Sequence, residues 1–68
     1  MTSVAGYQRQ RQILDWVLRS HFVTVRELLV RFGVSYSTIS RDLDALTRRA
    51  ELQRVRGGVM YLAAGARR

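Results

Sequence analysis

The sequence predicts a mainly α (α+β) domain with a three-helix core and a C-terminal β-hairpin. A capping box that begins at Thr24 and a glycine at Gly33 bracket one helix, and Ser35 caps the next one. Two helices joined by so short a turn form a helix-turn-helix unit. The pattern then changes to a period of two around Gly57-Gly58, which is typical of a hairpin with a primed turn. Together these observations predict a winged helix-turn-helix.

Length and composition narrow the class of protein. With 68 residues, of which 47% are hydrophobic, the chain forms one small domain with a single core. It contains no cysteine and one histidine, so we expect no disulfide, no metal site and no cofactor. No nucleophile–base set or phosphate loop is present, and no apolar run reaches the roughly 20 residues that span a bilayer. We therefore expect a cytoplasmic, nucleoid-associated protein that is not an enzyme.

The charge balance indicates an anionic partner. Twelve basic residues stand against five acidic ones, for a net charge of +7, and all twelve are arginine. A GC-rich genome also favours arginine over lysine, but codon usage does not explain the excess of charge. A membrane surface is the competing use of such charge. Arginine forks onto phosphates and guanine edges, so double-stranded DNA is the first partner to expect.

The first helix is predicted from Gln8 to Arg19, after a flexible arm at residues 1–7. Its apolar residues share one stripe, formed by Ile13, Leu14, Val17 and Leu18. The lone His21 is expected to have a helix-end or surface role. Residues 22–23 are expected to form a short strand that pairs with the hairpin, because a lone hairpin is unstable in water.

The second and third helices are predicted over residues 25–32 and 36–48, and the wing over residues 52–62. The apolar face of the second helix consists of Val25, Leu28, Leu29 and Phe32, and that of the third of Ile39, Leu43 and Leu46. The aromatic residues expected in the core or at its rim, rather than as stacking platforms, are Trp16, Phe22, Phe32 and Tyr61.

The polar side of the third helix is the candidate DNA-reading surface. On a helical wheel this side comprises Ser37, Arg41, Asp44 and Arg48, with Ser40 and Thr38 on its flanks. Early residues of a recognition helix face base edges, so Ser37, Ser40 and Arg41 are expected to read bases. Tyr36 is better placed for a phosphate or a thymine methyl group, and Thr38 supports the first turn. The alternative for Arg41 is a solvated surface arginine that pairs with Asp44 or with the exposed neighbours of Ala45.

The remaining polar residues of this helix have structural interpretations. Ser35 is primarily a cap, and any phosphate contact is secondary. Asp44 and Arg48 are expected to form a surface pair at i, i+4. Asp42 lies near the buried edge and is expected to pair with Arg49 or with a wing arginine.

The hairpin supplies a second candidate contact surface. Alternation places Arg54 and Arg56 on the same side of their strand. With Gly57 and Gly58 they form a slim basic tip that would enter a minor groove or follow the backbone. The alternative is a solvated edge strand protected by charge.

Two helix starts are further candidates for phosphate contact. Arg9 and Arg11 open the first helix, where positive charge opposes the helix dipole, so a phosphate partner would rationalise them. Thr24 and the N–H groups at the start of the second helix are also expected to bind a phosphate.

These residues together resemble the N-terminal DNA-binding domain of the DeoR family of bacterial transcriptional regulators. The matching motifs are Arg9 through Ile13-Leu14, Val25-Arg26-Glu27-Leu28, Phe32-Gly33-Val34-Ser35, Thr38-Ile39-Ser40-Arg41-Asp42-Leu43 and Arg54-Val55-Arg56-Gly57-Gly58. Each motif alone is a weak signal, whereas their order and spacing are specific. The resemblance implies sequence-specific DNA binding by a regulator of repressor type.

Three positions depart from the family pattern. Ser40 replaces an arginine of the recognition helix, which is expected to weaken or redirect base readout. Ala50 replaces a glycine after that helix, and Arg56 replaces a histidine in the wing. The resemblance also implies a second, larger domain that binds a sugar phosphate and supports oligomerisation. Residues 63–68 are expected to be a linker or a cut end.

Two other classes of function compete with duplex DNA binding. A winged helix can use the same face to bind a protein instead of DNA, and shape alone does not exclude this. RNA is disfavoured because an α-helix fits the major groove of B-form DNA but not that of A-form RNA. A monomer is expected in isolation, and a homodimer is possible on DNA.

Overall fold

Three helices and three short strands build the domain. The computed structural model describes residues 4–49 and 52–61. The elements, in chain order α1, β1, α2, α3, β2 and β3, are Val4–Ser20, Phe22–Thr24, Val25–Phe32, Tyr36–Arg48, Leu52–Val55 and Gly58–Tyr61. The strands form one antiparallel sheet in the order β1, β3, β2. The predicted winged helix-turn-helix is confirmed, including the third strand at residues 22–23.

The helix α1 begins earlier than the sequence predicts. It starts at Val4 rather than at Gln8, so it overlaps the predicted arm. Residues 1–3 of that arm lie outside the described residues, as do Ala50, the predicted end of the wing at Leu62 and the predicted linker at 63–68.

The buried stripe of α1 differs in part from the predicted one. Its buried residues are Gly6, Gln10, Ile13 and Val17, spaced by four, three and four positions. Leu18 was expected in this stripe but is 40% exposed, because it lies about 100° further around the helix than Val17.

The junction between α1 and the sheet depends on His21. Its φ of 69° is in the left-handed region, and its N–H donates to the carbonyl oxygen of Val17 at 2.6 Å. Its own carbonyl oxygen accepts from the N–H of Tyr61 at 3.0 Å. His21 therefore ends the helix and directs the chain into the sheet, which confirms its predicted helix-end role.

Local caps fix the turn between α2 and α3. The hydroxyl of Thr24 accepts from the N–H of Glu27 at 3.0 Å, and Glu27 Oε1 accepts from the N–H of Thr24 at 2.8 Å. Gly33 ends α2 with φ 64°, and its N–H donates to the carbonyl oxygen of Leu29 at 2.9 Å. Ser35 then caps α3. Each cap predicted from the sequence is present.

A single core lies between the helices and the inner face of the sheet. The fully buried apolar residues are Ile13, Val17, Val23, Leu28, Ile39, Leu43, Leu46, Leu52 and Val59. The residues Trp16, Phe32 and Tyr61 pack against this core, as expected. Phe22 instead lies on the outer face of the sheet, opposite Met60, and is 44% exposed.

The turn of the wing differs from the predicted primed type. Val55 pairs with Gly58, so the turn residues are Arg56 and Gly57 rather than the two glycines. Gly57 has φ 80°, whereas Arg56 has no positive φ, and both primed turns require one at the first turn position. Gly58 belongs to β3, where an added Cβ would lie 2.4 Å from the carbonyl oxygen of Val23. This close approach between strands is the physical reason for the second glycine.

Candidate nucleic-acid interface

The helix α3 has one buried side and one exposed side. Its buried residues are Ile39, Asp42, Leu43 and Leu46. Its exposed residues are Tyr36, Ser37, Arg41, Asp44 and Arg48, with Thr38 and Ser40 half-buried. The exposed side matches the polar side of the helical wheel, and we call it the α3 outer face.

The start of α3 is fixed by two hydroxyl groups. Ser35 Oγ accepts from the N–H of Thr38 at 3.2 Å and lies 3.1 Å from Thr38 Oγ1. The predicted capping role of Ser35 and the supporting role of Thr38 are therefore confirmed. Their contacts with a phosphate stay predictions.

The buried carboxylate of Asp42 is held by α1. Arg9 pairs with it through Nε and Nη2, and Gln10 Nε2 donates to Oδ1 at 3.2 Å. The prediction that Asp42 pairs with Arg49 or a wing arginine is wrong. The stripe of α1 that faces α3 includes Gln10, so the α1 side chains reach Asp42 first.

Arg9 pairs with Asp42, although the sequence predicts that it contacts a phosphate. Since α1 begins at Val4, Arg9 lies in its second turn rather than at its positively polarised end. Its guanidinium is instead neutralised by Asp42. Arg11 is exposed on the same helix.

The carboxylate of Asp44 pairs with the wing rather than with its own helix. Arg54 Nη1 lies 3.3 Å from Asp44 Oδ1, so the expected pair between Asp44 and Arg48 is wrong. The side chain of Asp44 is 56% exposed, and that of Arg54 is 34% exposed. Arg54 Nε is buried and has no partner among the described residues.

The register of the sheet explains why Arg54 faces α3. On β2 it lies opposite Val59, which is buried on the inner face, so alternation places both on the helix side. Arg56 lies in the turn beyond the end of β2 and is exposed. The prediction that these two arginines lie on the same side of one strand is therefore wrong, because only Arg54 belongs to β2.

The tip of the wing consists of Arg56 and Gly57. Both are exposed, whereas Gly58 is buried between β1 and β2. The carbonyl oxygen of Gly57 accepts from the N–H of Val25 at 3.0 Å, so the tip adjoins the start of α2. Of the predicted wing contacts, Arg56 and Gly57 are accessible, and Gly58 has a packing role.

The start of α2 has few donors available for a ligand. The hydroxyl of Thr24 donates to Glu27 Oε1 at 3.0 Å and accepts from Glu27 N–H, while the N–H of Val25 is bound to the wing. The carboxylate of Glu27 also places negative charge there. A phosphate contact of Thr24 stays a prediction.

Sequence reasoning missed the cluster of Arg9, Gln10 and Asp42. A signal for it was available, because Gly6, Gln10, Ile13 and Val17 recur at helical spacing once the helix is extended to Val4. That spacing places the amide of Gln10 on the buried side, where a polar group requires a partner.

A separate groove lies between α1 and the end of α2. It is lined by Gln12, Asp15, Trp16, Arg19, Arg31 and Phe32. Arg31 lies over the ring of Phe32, with 5.3 Å from its guanidinium carbon to the ring centre. None of the predicted DNA-contacting residues lines this α1–α2 groove, so it offers sites for control substitutions.

The described residues hold neither a candidate metal site nor a membrane-spanning helix. No group of three or more His, Cys, Asp or Glu side chains is close enough to hold a metal ion within residues 4–49 and 52–61. Over the same part of the chain, no helix has the length and apolarity needed to cross a membrane.

The arrangement defines a class of domain. A capped helix with an exposed polar face follows a tight turn, and a two-stranded wing with a basic tip lies beside it. This is the winged helix-turn-helix architecture, in which the second helix of the unit enters the major groove.

Comparison with known proteins identifies the family. A family model described as a DeoR-like helix-turn-helix domain matches residues 9–64. The chain belongs to this family of DNA-binding transcription-regulator domains, which is not an enzyme family. No solved structure gives a significant match.

Relatives of the chain include proteins named HTH-type transcriptional regulator UlaR. Those of Shigella sonnei, Salmonella arizonae and Salmonella newport are each 37% identical to it over 51 residues. The match covers 75% of this chain but only 20% of each relative. The similarity therefore concerns one domain of much longer proteins.

Proposed function

We propose that this domain binds duplex DNA sequence-specifically as the DNA-reading part of a bacterial transcriptional repressor. The observation that carries the proposal is the α3 outer face, where Ser37, Arg41 and Arg48 are exposed on one side of a capped helix. Ser40 and Thr38 flank that side, half-buried. Such a helix fits the major groove of B-form DNA.

Within this function, the residues divide into base readers and backbone contacts. Arg41 is the main base reader, since its guanidinium is exposed and can fork onto O6 and N7 of guanine. Ser37 and Ser40 add shorter-range contacts. Tyr36 and Arg48 lie at the two ends of the face and would contact phosphates.

The wing supplies the second contact. Arg56 and Gly57 form a slim exposed tip that would lie along the backbone or in the minor groove. Arg54 would contribute less to DNA contact than the sequence predicts, because Asp44 already neutralises its charge.

One such domain offers a small contact area, so we infer a homodimer on paired half-sites in the regulator at work. The domain alone would be monomeric. Its place of action would be the nucleoid in the cytoplasm, and it would need neither catalysis nor a metal or cofactor.

The test is fluorescence anisotropy with a labelled random-sequence duplex, titrated with salt. If about four to six phosphates are neutralised, log K should fall with log salt at a slope of about −4 to −5. Arg41→Ala should lower the affinity, because it removes a positive charge from the surface that contacts the duplex. Arg19→Ala removes the same charge from the α1–α2 groove and should change affinity far less.

The outcomes separate the parts of the proposal. Equal losses in the Arg41 and Arg19 variants would mean that only total charge matters. An unaltered Arg41→Ala variant would move the contact surface away from α3. No binding at low salt would overturn the proposal and favour a winged helix that binds protein instead.

A further inference from the structure

A carboxylate in the middle of the α3 outer face needs an explanation. Asp44 is exposed between Arg41, three residues before it, and Arg48, four residues after it. On a surface that approaches phosphates, an unpaired negative charge would oppose binding. A residue that helped only with general DNA attraction would not be acidic.

The ion pair with the wing reduces this opposition while leaving the carboxylate usable. Arg54 Nη1 contacts Oδ1 at 3.3 Å, whereas Oδ2 has no partner among the described residues. More than half of the Asp44 side chain is exposed, so its carboxylate is open to solvent on the outer face. The pair thus presents a hydrogen-bond acceptor whose negative charge is partly neutralised by the Arg54 guanidinium.

Acceptors distinguish bases in the major groove. Guanine presents two acceptors there and thymine presents one, so both repel a carboxylate oxygen. Adenine presents its N6 donor beside the N7 acceptor. Cytosine presents its N4 donor with no acceptor of its own beside it. A carboxylate on the reading face therefore favours cytosine.

We propose that Asp44 determines specificity by accepting a hydrogen bond from cytosine N4, with Arg54 holding and neutralising its carboxylate. This inference rests on the proposed function. Three residues of helix advance the chain by about 4.5 Å, close to one base-pair step of about 3.4 Å. The selected cytosine is therefore in a base pair next to the guanine read by Arg41.

The test is selection from a pool of duplexes randomised across the footprint, at low salt, followed by sequencing of the bound fraction. The wild-type domain should prefer cytosine at one position by about fivefold or more, next to a preferred guanine. Asp44→Asn, whose amide offers a donor as well as an acceptor, should move the preference from cytosine towards adenine and keep the guanine preference. Arg41→Ala should lose the guanine preference and keep the cytosine preference.

Two further variants separate base readout from charge. Asp15→Asn makes the same change of charge in the α1–α2 groove and should leave both preferences unchanged. Arg54→Gln should weaken binding to all duplexes, because the carboxylate loses its neutralising partner, and should reduce the cytosine preference, because the carboxylate is no longer held by Arg54.

Failure of the inference is distinguishable from failure of the proposed function. If Asp44→Asn shifts the affinity for every duplex equally, Asp44 only repels DNA and the inference is wrong. If the wild-type domain binds duplexes without any preference, the specificity of both residues is overturned although DNA binding stands. If anisotropy shows no duplex binding, the proposed function itself is wrong.

Discussion

Two aspartates of α3, two residues apart, have opposite environments. The Asp42 side chain is 4% exposed and is held by α1, whereas that of Asp44 is 56% exposed and is held by the wing. Two residues turn a helix by about 200°, so one carboxylate faces the core and the other faces outward. The same residue type thus anchors the helix on one side and faces the candidate DNA surface on the other.

The two ion pairs differ in energy for a physical reason. Removing one partner of a buried pair leaves an uncompensated charge in a poorly solvated place and typically destabilises by about 3–5 kcal/mol. An exposed pair is worth about 0–1 kcal/mol, because water solvates both charges when they separate. The buried pair should therefore control stability, and the exposed pair should leave it nearly unchanged.

The largest expected effect follows from breaking the buried pair. Arg9→Ala leaves the Asp42 carboxylate with only Gln10, and we expect the free energy of unfolding to fall by about 3 kcal/mol. Urea denaturation followed by circular dichroism measures this. Arg11→Ala removes an exposed arginine of the same helix and should change stability by less than about 0.5 kcal/mol.

A second substitution checks that buried charge is the cause. Arg9→Ala combined with Asp42→Asn removes the stranded charge, so the double variant should be more stable than Arg9→Ala alone. If it is no more stable, the loss arises from packing of the arginine stem rather than from the carboxylate.

The wing repeats the contrast between an inner and an outer position, with a smaller effect. In Gly58→Ala the new Cβ would lie 2.4 Å from the carbonyl oxygen of Val23, and we expect a loss of about 1–3 kcal/mol. In Gly57→Ala the space is open and only the φ of 80° is unfavourable, at about 1 kcal/mol. A larger loss at Gly57 than at Gly58 in thermal unfolding would contradict this ranking.

The exposed pair of Asp44 with Arg54 should contribute least to stability. Asp44→Asn breaks only the exposed pair and should change the free energy of unfolding by less than about 0.5 kcal/mol. The measurement is the same urea titration. A loss as large as that of Arg9→Ala would mean that the pair with Arg54 holds the wing in place, and the contrast between the two aspartates would disappear.

The elements that were predicted well are those with local causes. Each cap acts within a few residues and can therefore be recognised in the sequence, as at Thr24, Gly33 and Ser35. The spacing of Ile39, Leu43 and Leu46 likewise defined the buried side of α3 and, by difference, the candidate DNA surface. The contacts of that surface with DNA stay predictions.

The partners of charged residues were predicted poorly because they depend on packing between elements. The guanidinium of Arg9 reaches a carboxylate 33 residues away, and Arg54 reaches one ten residues away. Neither separation has a periodic signature. The prediction of a primed wing turn is also wrong, since Gly58 is required by the approach of β1 rather than by the turn.

The amino-acid sequence is sufficient to predict the three helices, the hairpin that follows them, the side of α3 that faces outward and the excess of positive charge. These follow from caps, hydrophobic periodicity and composition, which act through local backbone sterics and burial. Which arginine neutralises which aspartate depends on how the elements pack, because a charged side chain pairs with a group that is near it in space. As a result, Arg9 pairs with a buried carboxylate, and Asp44 and Arg54 lie together at the candidate interface. Arg41 and Arg56 are exposed and have no carboxylate partner among the described residues.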